Sequence, residues 1–214
     1  MIYKASGIIL AGGCSRRMKG TDKARMIIQS RSLLEHKIKH LHKLFANVVV
    51  VCNRQQNLNF SNAKVVCDMR ENCGPLMGLY SGLKASNNEI NFVTACDMPF
   101  DNEQLIHLLL QIAPNNDVVV PLSKGYPEPL AAVYHKKVLP SIKTSLNKGL
   151  RKLTSFFDRV KVHQISEEQI QFIDPGLLSF FNVNTPEDLE QAKIISAAIP
   201  LSQNNIPNII ECQT

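Results

Sequence analysis

The sequence predicts an α/β fold, a three-layer sandwich in which helices cover both faces of a mostly parallel central sheet. Two observations predict this class. Short apolar runs rich in β-branched residues recur as far as residue 121, and segments with helical spacing of apolar residues separate them. In addition, 44% of the 214 residues are hydrophobic, which is enough to build the core of one domain of this size.

The predicted strands are apolar runs bounded by turn-forming residues. They lie at 7–11, 47–52, 64–68, 92–96 and 117–121. The predicted helices carry one apolar face each: Leu34, Ile38, Leu41 and Phe45 in the first, Leu76, Leu79 and Leu83 in the second, and Leu105, Leu108, Leu109 and Ile112 in the third. Their predicted starts are Ser32 with Glu35, Gly74 followed by Pro75, and Asp101 with Gln104.

The second half of the chain is less regular. It contains predicted strands at 130–134 and 160–165, a helical stretch at 138–158, and a last helix that Thr185 caps and Pro186 begins. The segment 125–130 is a proline-stiffened connection and a candidate acceptor loop. The tail is rich in Asn, Gln, Ser and Pro, which is typical of a flexible segment. We therefore predict one domain over residues 1–198 and a flexible tail over 199–214.

The loop after the first strand combines glycine with positive charge. Gly12 and Gly13 let backbone N–H groups approach an anion closely. Four cations follow within the next ten residues: Arg16, Arg17, Lys19 and Lys23. The spacing matches neither the dinucleotide-binding pattern nor the P-loop. Ligands of parallel sheets bind at the carboxyl ends of the strands, so Asn53, Asp68 and Asp97 are candidates too. Taken alone, the loop is also compatible with an ordinary glycine turn whose cations are solvated.

Composition narrows the class of partner. The formal net charge of +6 favours an anionic partner. Nucleic acid is disfavoured, because the chain has no Trp and its few aromatic residues do not alternate with the basic ones as a nucleic-acid platform requires.

The six cysteines form no CxxC pair, so neither a zinc site nor a disulfide framework is predicted. No apolar run approaches the roughly 20 residues of a membrane span, and no signal peptide is recognisable. We expect a cytoplasmic protein that binds neither membranes nor nucleic acids.

Four segments in order carry a family resemblance. They read LAGGCSRRMKGTDK at 10–23, GPLMGL at 74–79, CDMPF at 96–100 and FNVNTPEDL at 181–189. Together they resemble the nucleotidyltransferases that load nucleotides onto phosphorylated acceptors, and specifically the molybdenum cofactor guanylyltransferases. The resemblance extends from residue 7 to about 193 and implies a Rossmann-like fold of the nucleotide-diphospho-sugar transferase type.

The resemblance implies a reaction and its participants. GMP is expected to pass from GTP to the terminal phosphate of molybdenum-molybdopterin, with Mg²⁺ as cofactor and pyrophosphate as the second product. The N-terminal half is expected to bind GTP and the C-terminal half the acceptor. Molybdoenzymes, their chaperones and other proteins of cofactor biosynthesis are the expected protein partners.

The resemblance also implies roles for individual residues. The catalytic residues are Arg17, Lys23 and Asp97. The nucleotide site comprises Leu10, Ala11, Gly12, Gly13, Lys23, Asn53, Asp68 and Asp97, and the acceptor site comprises Arg17, Gly20, Gly78, Asn182 and Asn184. Asp97 is the expected Mg²⁺ ligand, because Mg²⁺ is bound through one or two carboxylates together with phosphate oxygens.

Three alternatives stay open at this point. A cytidylyltransferase on the same cofactor, or another sugar-phosphate nucleotidyltransferase, shares much of the pattern, although LAGG and the FNVNTPEDL segment favour the guanylyl reaction. A cofactor carrier without catalysis is disfavoured by the presence of Asp97, Lys23 and Arg17. A nucleic-acid-binding module would show affinity that falls steeply with salt.

Overall fold

The computed structural model describes residues 2–12, 26–28, 30–52, 60–68 and 74–198. Ten strands lie in these ranges: β1 Tyr3–Leu10, β2 Ile27–Ile28, β3 Arg31–Ser32, β4 Phe45–Cys52, β5 Lys64–Cys67, β6 Ile90–Ala95, β7 Val118–Ser123, β8 Tyr126–Pro127, β9 Ala131–His135 and β10 Val162–Ile165. The α-helices of the same ranges are α1 Leu33–Leu44, α2 Pro75–Ala85, α3 Glu103–Ile112, α4 Leu139–Asn147, α5 Glu167–Gln171 and α6 Pro186–Ala198.

The main sheet has the strand order β10-β7-β9-β6-β1-β4-β5, and β8 pairs with β7 beside it. The pairs β1–β4, β1–β6, β4–β5 and β7–β10 are parallel. β9 is antiparallel to both of its neighbours, β6 and β7. The predicted α/β class with a mostly parallel sheet is therefore confirmed, and the carboxyl ends of β1, β4, β5, β6 and β7 point to one edge.

Helices cover both faces of this sheet and create two large apolar cores. One face of β1 and β4 packs against α1 and α3 through residues such as Leu34, Leu41 and Leu105. The other face packs against α2 and α4, where Leu79 and Ile142 are fully buried. Adjacent residues of a strand point to opposite faces, so the continuous apolar runs of the sequence are explained by burial on both sides.

A third, smaller core joins distant parts of the chain near the same edge. It contains Met26, Ile28, Leu33, Phe100, Val183 and Ala192. The short hairpin of β2 and β3 thereby packs against α6, and the Phe100 and Phe181 rings lie 5.9 Å apart. The segment that precedes α6 is consequently held next to the turn that follows β6.

Several local predictions differ from the structure. Phe45 begins β4 instead of continuing α1, although it is buried in the same core. The cap of α3 is Asn102, whose side chain accepts from the backbone N–H groups of Gln104 and Leu105. Asp101 does not cap this helix, because its carboxylate binds the ammonium group of Lys37.

The predicted helical stretch at 138–158 is also shorter than expected. α4 ends at Asn147, and Gly149 has a φ of +74°, a conformation that glycine adopts readily after a helix end. The strand pairs β2–β3 and β7–β8 and the short helix α5 were not predicted, because elements this short show no apolar period. None of the helices in the described ranges is long and apolar enough to cross a membrane.

Candidate functional site

Backbone hydrogen bonds continue past the strand ends and align the candidate residues along one edge. The N–H of Ala11 donates to the carbonyl of Val51 at 2.8 Å, and the N–H of Asp68 donates to the carbonyl of Cys52 at 3.0 Å. On the other side of β1, the N–H of Cys96 donates to the carbonyl of Leu10 at 3.1 Å. The predicted nucleotide residues Leu10, Ala11, Gly12, Asp68 and Asp97 thus lie along neighbouring strand ends.

Helix α2 begins at this edge and brings Gly78 to the nucleotide residues. A Cβ atom placed on Gly78 would lie 3.5 Å from the Oδ1 atom of Asp68 and 3.5 Å from a methyl carbon of Leu10. Gly78 is expected on the acceptor side from the resemblance. In the structure Gly78 lies next to Leu10 and Asp68, two residues that are expected on the nucleotide side. Any side chain here would occupy space next to the Asp68 carboxylate.

The Asp68 carboxylate is poorly solvated. Its Oδ1 atom is buried and has no hydrogen-bond partner among the residues that the structure describes. Burial disfavours the ionised form and raises the pKa of Asp68 to about 6. A desolvated carboxylate with one vacant acceptor atom is suited to accept hydrogen bonds from a bound polar molecule.

The raised pKa of Asp68 predicts a pH-dependent stability. The folded state holds this proton up to about pH 6, whereas the unfolded chain releases it near pH 4. Stability therefore falls as the pH rises from about 4 through 6, and the ionised carboxylate opposes folding above that range. We expect Asp68→Asn to be more stable than the wild type at pH 7.5 and to lose this part of the pH dependence.

Thermal unfolding of both proteins at pH 4.5 and pH 7.5 measures the effect. The control is Asp158→Asn, because the Asp158 side chain is 72% exposed. An Asp68→Asn protein whose stability relative to the wild type is the same at both pH values would contradict the assignment of the buried, ionisable group.

Asp97 lies in the turn that follows β6 and is half-buried. Its backbone carbonyl accepts a hydrogen bond from the N–H of Val183 at 2.8 Å. Val183 separates Asn182 and Asn184, the two asparagines expected at the acceptor. The structure thus brings both asparagines next to the Asp97 turn, although they are more than 80 residues away in the sequence.

The two asparagines are held by local hydrogen bonds. The side-chain amide of Asn182 donates to the carbonyl of Phe180 at 3.0 Å. The backbone N–H of Asn184 donates to the Oδ2 atom of Asp188 at 2.8 Å, and the N–H of Thr185 donates to the same atom at 2.9 Å. In return, the Thr185 hydroxyl accepts from the N–H of Asp188 at 3.1 Å. The predicted Thr185 cap is confirmed, and the same cap fixes the backbone of Asn184.

The carboxylates at this edge are compatible with a magnesium ion. No group of three or more His, Cys, Asp or Glu side chains that could hold a metal occurs within the described ranges. Mg²⁺ does not need such a group, because it keeps several waters and binds one or two carboxylates plus phosphate oxygens. Asp97 could supply one ligand of this kind.

Two charged residues near the site were not named individually as site residues from the sequence, although Glu128 lies in the candidate acceptor loop 125–130. Glu128 lies between β8 and β9, where its N–H donates to the carbonyl of Pro121 at 2.9 Å, and burial raises the pKa of its carboxyl group. Lys37 lies on the inner face of α1 and contacts the turn that carries Asp97. The sequence contains one indication of a buried role for Lys37. Its spacing from Leu34, Ile38 and Leu41 places it on the apolar face of the helix, where a lysine needs a buried partner.

Five predicted site residues lie outside the described residues: Gly13, Arg17, Gly20, Lys23 and Asn53. Their roles stay predictions, as does the flexible tail at 199–214.

Comparisons with known proteins agree with this architecture. Residues 7–164 match the family model described as the MobA-like NTP transferase domain. A molybdenum cofactor guanylyltransferase from Desulfosudis oleivorans is 35% identical over 88% of this chain and 94% of its own length. A probable molybdenum cofactor guanylyltransferase from Natranaerobius thermophilus is 37% identical, over 90% of this chain and 97% of its own length.

Solved structures share the fold. The crystal structure of molybdopterin-guanine dinucleotide biosynthesis protein A from Archaeoglobus fulgidus superposes with a TM-score of 0.79, at 27% identity, over 91% of this chain and all of that one. A 2-C-methyl-D-erythritol 4-phosphate cytidylyltransferase from Thermus thermophilus gives a TM-score of 0.69 at 17% identity, over 90% and 98% of the two chains. At that identity the second likeness concerns the fold alone.

Proposed function

Because this chain belongs to the family of MobA-like NTP transferase domains and to the molybdenum cofactor guanylyltransferases within it, we propose that it makes the guanine dinucleotide form of the molybdenum cofactor. The chain is a nucleotidyltransferase. Its substrates are GTP and molybdenum-molybdopterin, and its products are the dinucleotide cofactor and pyrophosphate.

One observation carries the proposal beyond the family relationship. The turn with Asp97 ends a strand next to Leu10 and also receives the hydrogen bond from Val183. In this proposal the expected GTP-binding half and the expected acceptor-binding half meet at the turn that carries Asp97. A reaction that joins a nucleotide to a phosphorylated acceptor requires the two substrates to be held side by side, and this arrangement supports that geometry.

The chemistry is a substitution at phosphorus. A terminal phosphate oxygen of the acceptor attacks the α-phosphorus of GTP, a new P–O bond forms, and the bond to the β-phosphate breaks with release of pyrophosphate. No covalent enzyme intermediate is needed, so the protein contributes positioning and charge neutralisation. Mg²⁺, when bound, would neutralise phosphate charge.

Each half of the site has a proposed task. Asp97 would hold Mg²⁺, and the backbone around Gly12 would approach the phosphates. Asp68 would accept hydrogen bonds from the sugar or base of the nucleotide, since its buried Oδ1 atom has acceptor capacity to offer. Arg17 and Lys23 would neutralise the triphosphate and the leaving pyrophosphate.

On the acceptor side, Asn182 and Asn184 can both donate to phosphate oxygens and accept from pterin N–H groups. The connection that carries Glu128 ends beside Met98, against which Leu130 and Ala131 pack. We propose this connection as a further wall of the acceptor site.

Residues 1–198 form the nucleotidyltransferase domain in this proposal. The protein works in the cytoplasm, and its partners are molybdoenzymes, their chaperones and other biosynthetic proteins.

Isothermal titration with GTP, CTP and ATP, each with and without Mg²⁺, tests the nucleotide assignment. We expect tight binding of GTP alone among the three, strengthened by Mg²⁺. Selective binding of CTP would move the assignment to the cytidylyl reaction, and no binding of any nucleotide would contradict the enzymatic proposal.

A further inference from the structure

A lysine ammonium group lies buried beneath the turn that carries Asp97. Lys37 extends from the inner face of α1, and its side chain is 1% exposed. The Nζ atom donates to the Oγ1 atom of Thr94 at 3.1 Å, to the Oδ2 atom of Asp101 at 2.7 Å, and to the backbone carbonyl of Met98. An ammonium group has three N–H donors, so these three acceptors satisfy it completely.

The three acceptors lie on both sides of Asp97 in the sequence. Thr94 is the penultimate residue of strand β6 and precedes Asp97 by three residues, Met98 follows Asp97 directly, and Asp101 closes the segment. The Thr94 hydroxyl donates to the Oδ1 atom of Asp101 at 3.1 Å, which links the two ends of the segment to each other. Lys37 therefore binds the beginning, the middle and the end of the segment that presents Asp97.

The same turn is also held by the C-terminal half of the chain. Val183 donates its N–H to the Asp97 carbonyl, and the rings of Phe100 and Phe181 are in contact. The turn that carries Asp97 is thus contacted both by the proposed acceptor segment and by Lys37 of α1.

Stability alone does not explain a buried ion pair in this place. Desolvating a lysine and a carboxylate carries a large free-energy penalty, and replacing such a pair by well-packed apolar residues of similar size often leaves a protein as stable or makes it more stable. What apolar side chains cannot supply is a directional hold on the Met98 carbonyl. The pair is therefore better explained by the conformation it imposes on the turn.

We propose that Lys37, together with Asp101, is a positioning residue that fixes the Asp97 carboxylate in the orientation needed to bind the metal ion with the nucleotide. The inference rests on the proposed function, because it takes Asp97 as the metal ligand. Lys37 touches neither substrate nor metal in this proposal and acts through the turn.

The test uses Mn²⁺ as a substitute for Mg²⁺, because its binding is followed directly by electron paramagnetic resonance. Mn²⁺ affinity in the presence of GTP is measured for the wild type, Lys37→Met, Asp101→Asn and the double variant Lys37→Met with Asp101→Leu. Thermal unfolding of each protein is recorded alongside, as is GTP binding without metal. GTP is not consumed in these experiments, since the acceptor is absent.

Lys136→Met is the matched control. The Lys136 ammonium group is also partly buried and donates to a backbone carbonyl, that of Ser86, at 2.7 Å. It lies beside the amino-terminal end of β6, since the N–H of Lys136 bonds to the carbonyl of Glu89. Losing this lysine removes a comparable contact at the edge of the sheet opposite to Asp97.

We expect Lys37→Met, Asp101→Asn and the double variant to weaken Mn²⁺ binding by about tenfold or more, because a displacement of about 1 Å suffices for large losses in a positioned site. Metal-free GTP binding should stay within about twofold, and Lys136→Met should keep wild-type Mn²⁺ affinity. The double variant is decisive because apolar replacement of both ions should leave the protein as stable as the wild type.

Wild-type Mn²⁺ affinity in the folded double variant would overturn the positioning role while leaving the proposed function untouched. A separate result identifies failure of the proposed function itself. If Asp97→Asn binds Mn²⁺ with GTP as tightly as the wild type, Asp97 is not the metal ligand and the inference falls with that assignment.

Discussion

Asp97→Asn is expected to lower the rate of nucleotidyl transfer by about 10²- to 10³-fold, the loss typical of removing one preorganised electrostatic contact from an active site. Asparagine keeps the size of the side chain and its ability to accept a hydrogen bond. It removes the negative charge that the proposed Mg²⁺ site requires. Pyrophosphate release with GTP, Mg²⁺ and molybdenum-molybdopterin measures the rate.

The matching control is Asp158→Asn, which changes the same charge at an exposed position beside Arg159. The thermal stability of Asp97→Asn should be close to that of the wild type, and GTP should still bind without metal. Transfer at more than a tenth of the wild-type rate by folded Asp97→Asn would contradict a metal-binding role for this residue.

Gly82→Ala is expected to destabilise the protein by up to about 2 kcal/mol, although the same change usually stabilises a helix. A Cβ atom on Gly82 would lie 2.6 Å from the Cγ2 atom of Ile8 and 3.1 Å from that of Val51. Both neighbours are buried in the sheet and cannot move freely. Overpacking of this kind costs about 1–3 kcal/mol, of which the better helix propensity of alanine offsets at most about 1 kcal/mol.

Gly78→Ala, four residues earlier in the same helix, is the matched comparison. Its Cβ atom would meet its nearest neighbours at ordinary contact distances of 3.5 Å, so its stability should be equal to or above that of the wild type. The new methyl group lies against Asp68, and GTP binding should weaken instead. Chemical denaturation and GTP titration of both variants measure the contrast. Equal stability of the two variants would contradict the packing described for α2.

The fold was largely predictable because its strands and helices carry strong, regular patterns. Burial on both faces makes Val48–Cys52 a continuous apolar run, and the helix α2 begins at the Pro75 that the sequence marks. Predictions were less accurate where a side chain had two possible partners. Asp101 is predicted to cap α3, but the neighbouring Asn102 has the same capping ability and is the cap in the structure. The sequence does not indicate this choice, because only folding brings Lys37 to the Asp101 carboxylate.

The sequence indicated which residues belong to the site, but it did not indicate the contacts between them. The sequence indicated Asp68, Gly78 and Asp97 from their places after strands or in the family motifs. It could not show that Gly78 approaches the Asp68 carboxylate, since that contact depends on how α2 packs on the sheet. Nor could it show that Val183 binds the Asp97 carbonyl, since that contact joins segments far apart in the chain. Lys37 was missed because amphipathic patterns treat every lysine as a solvated residue, whereas this one satisfies all three donors in the interior.

The most direct test of the proposed function is to incubate the purified protein with molybdenum-molybdopterin, Mg²⁺ and either GTP or CTP, and to quantify pyrophosphate and the dinucleotide cofactor together. We expect GTP to give guanine dinucleotide and pyrophosphate in equal amounts, with little product from CTP. Cytosine dinucleotide as the main product would contradict the guanylyl assignment, and cofactor binding without any pyrophosphate would contradict catalysis by this chain.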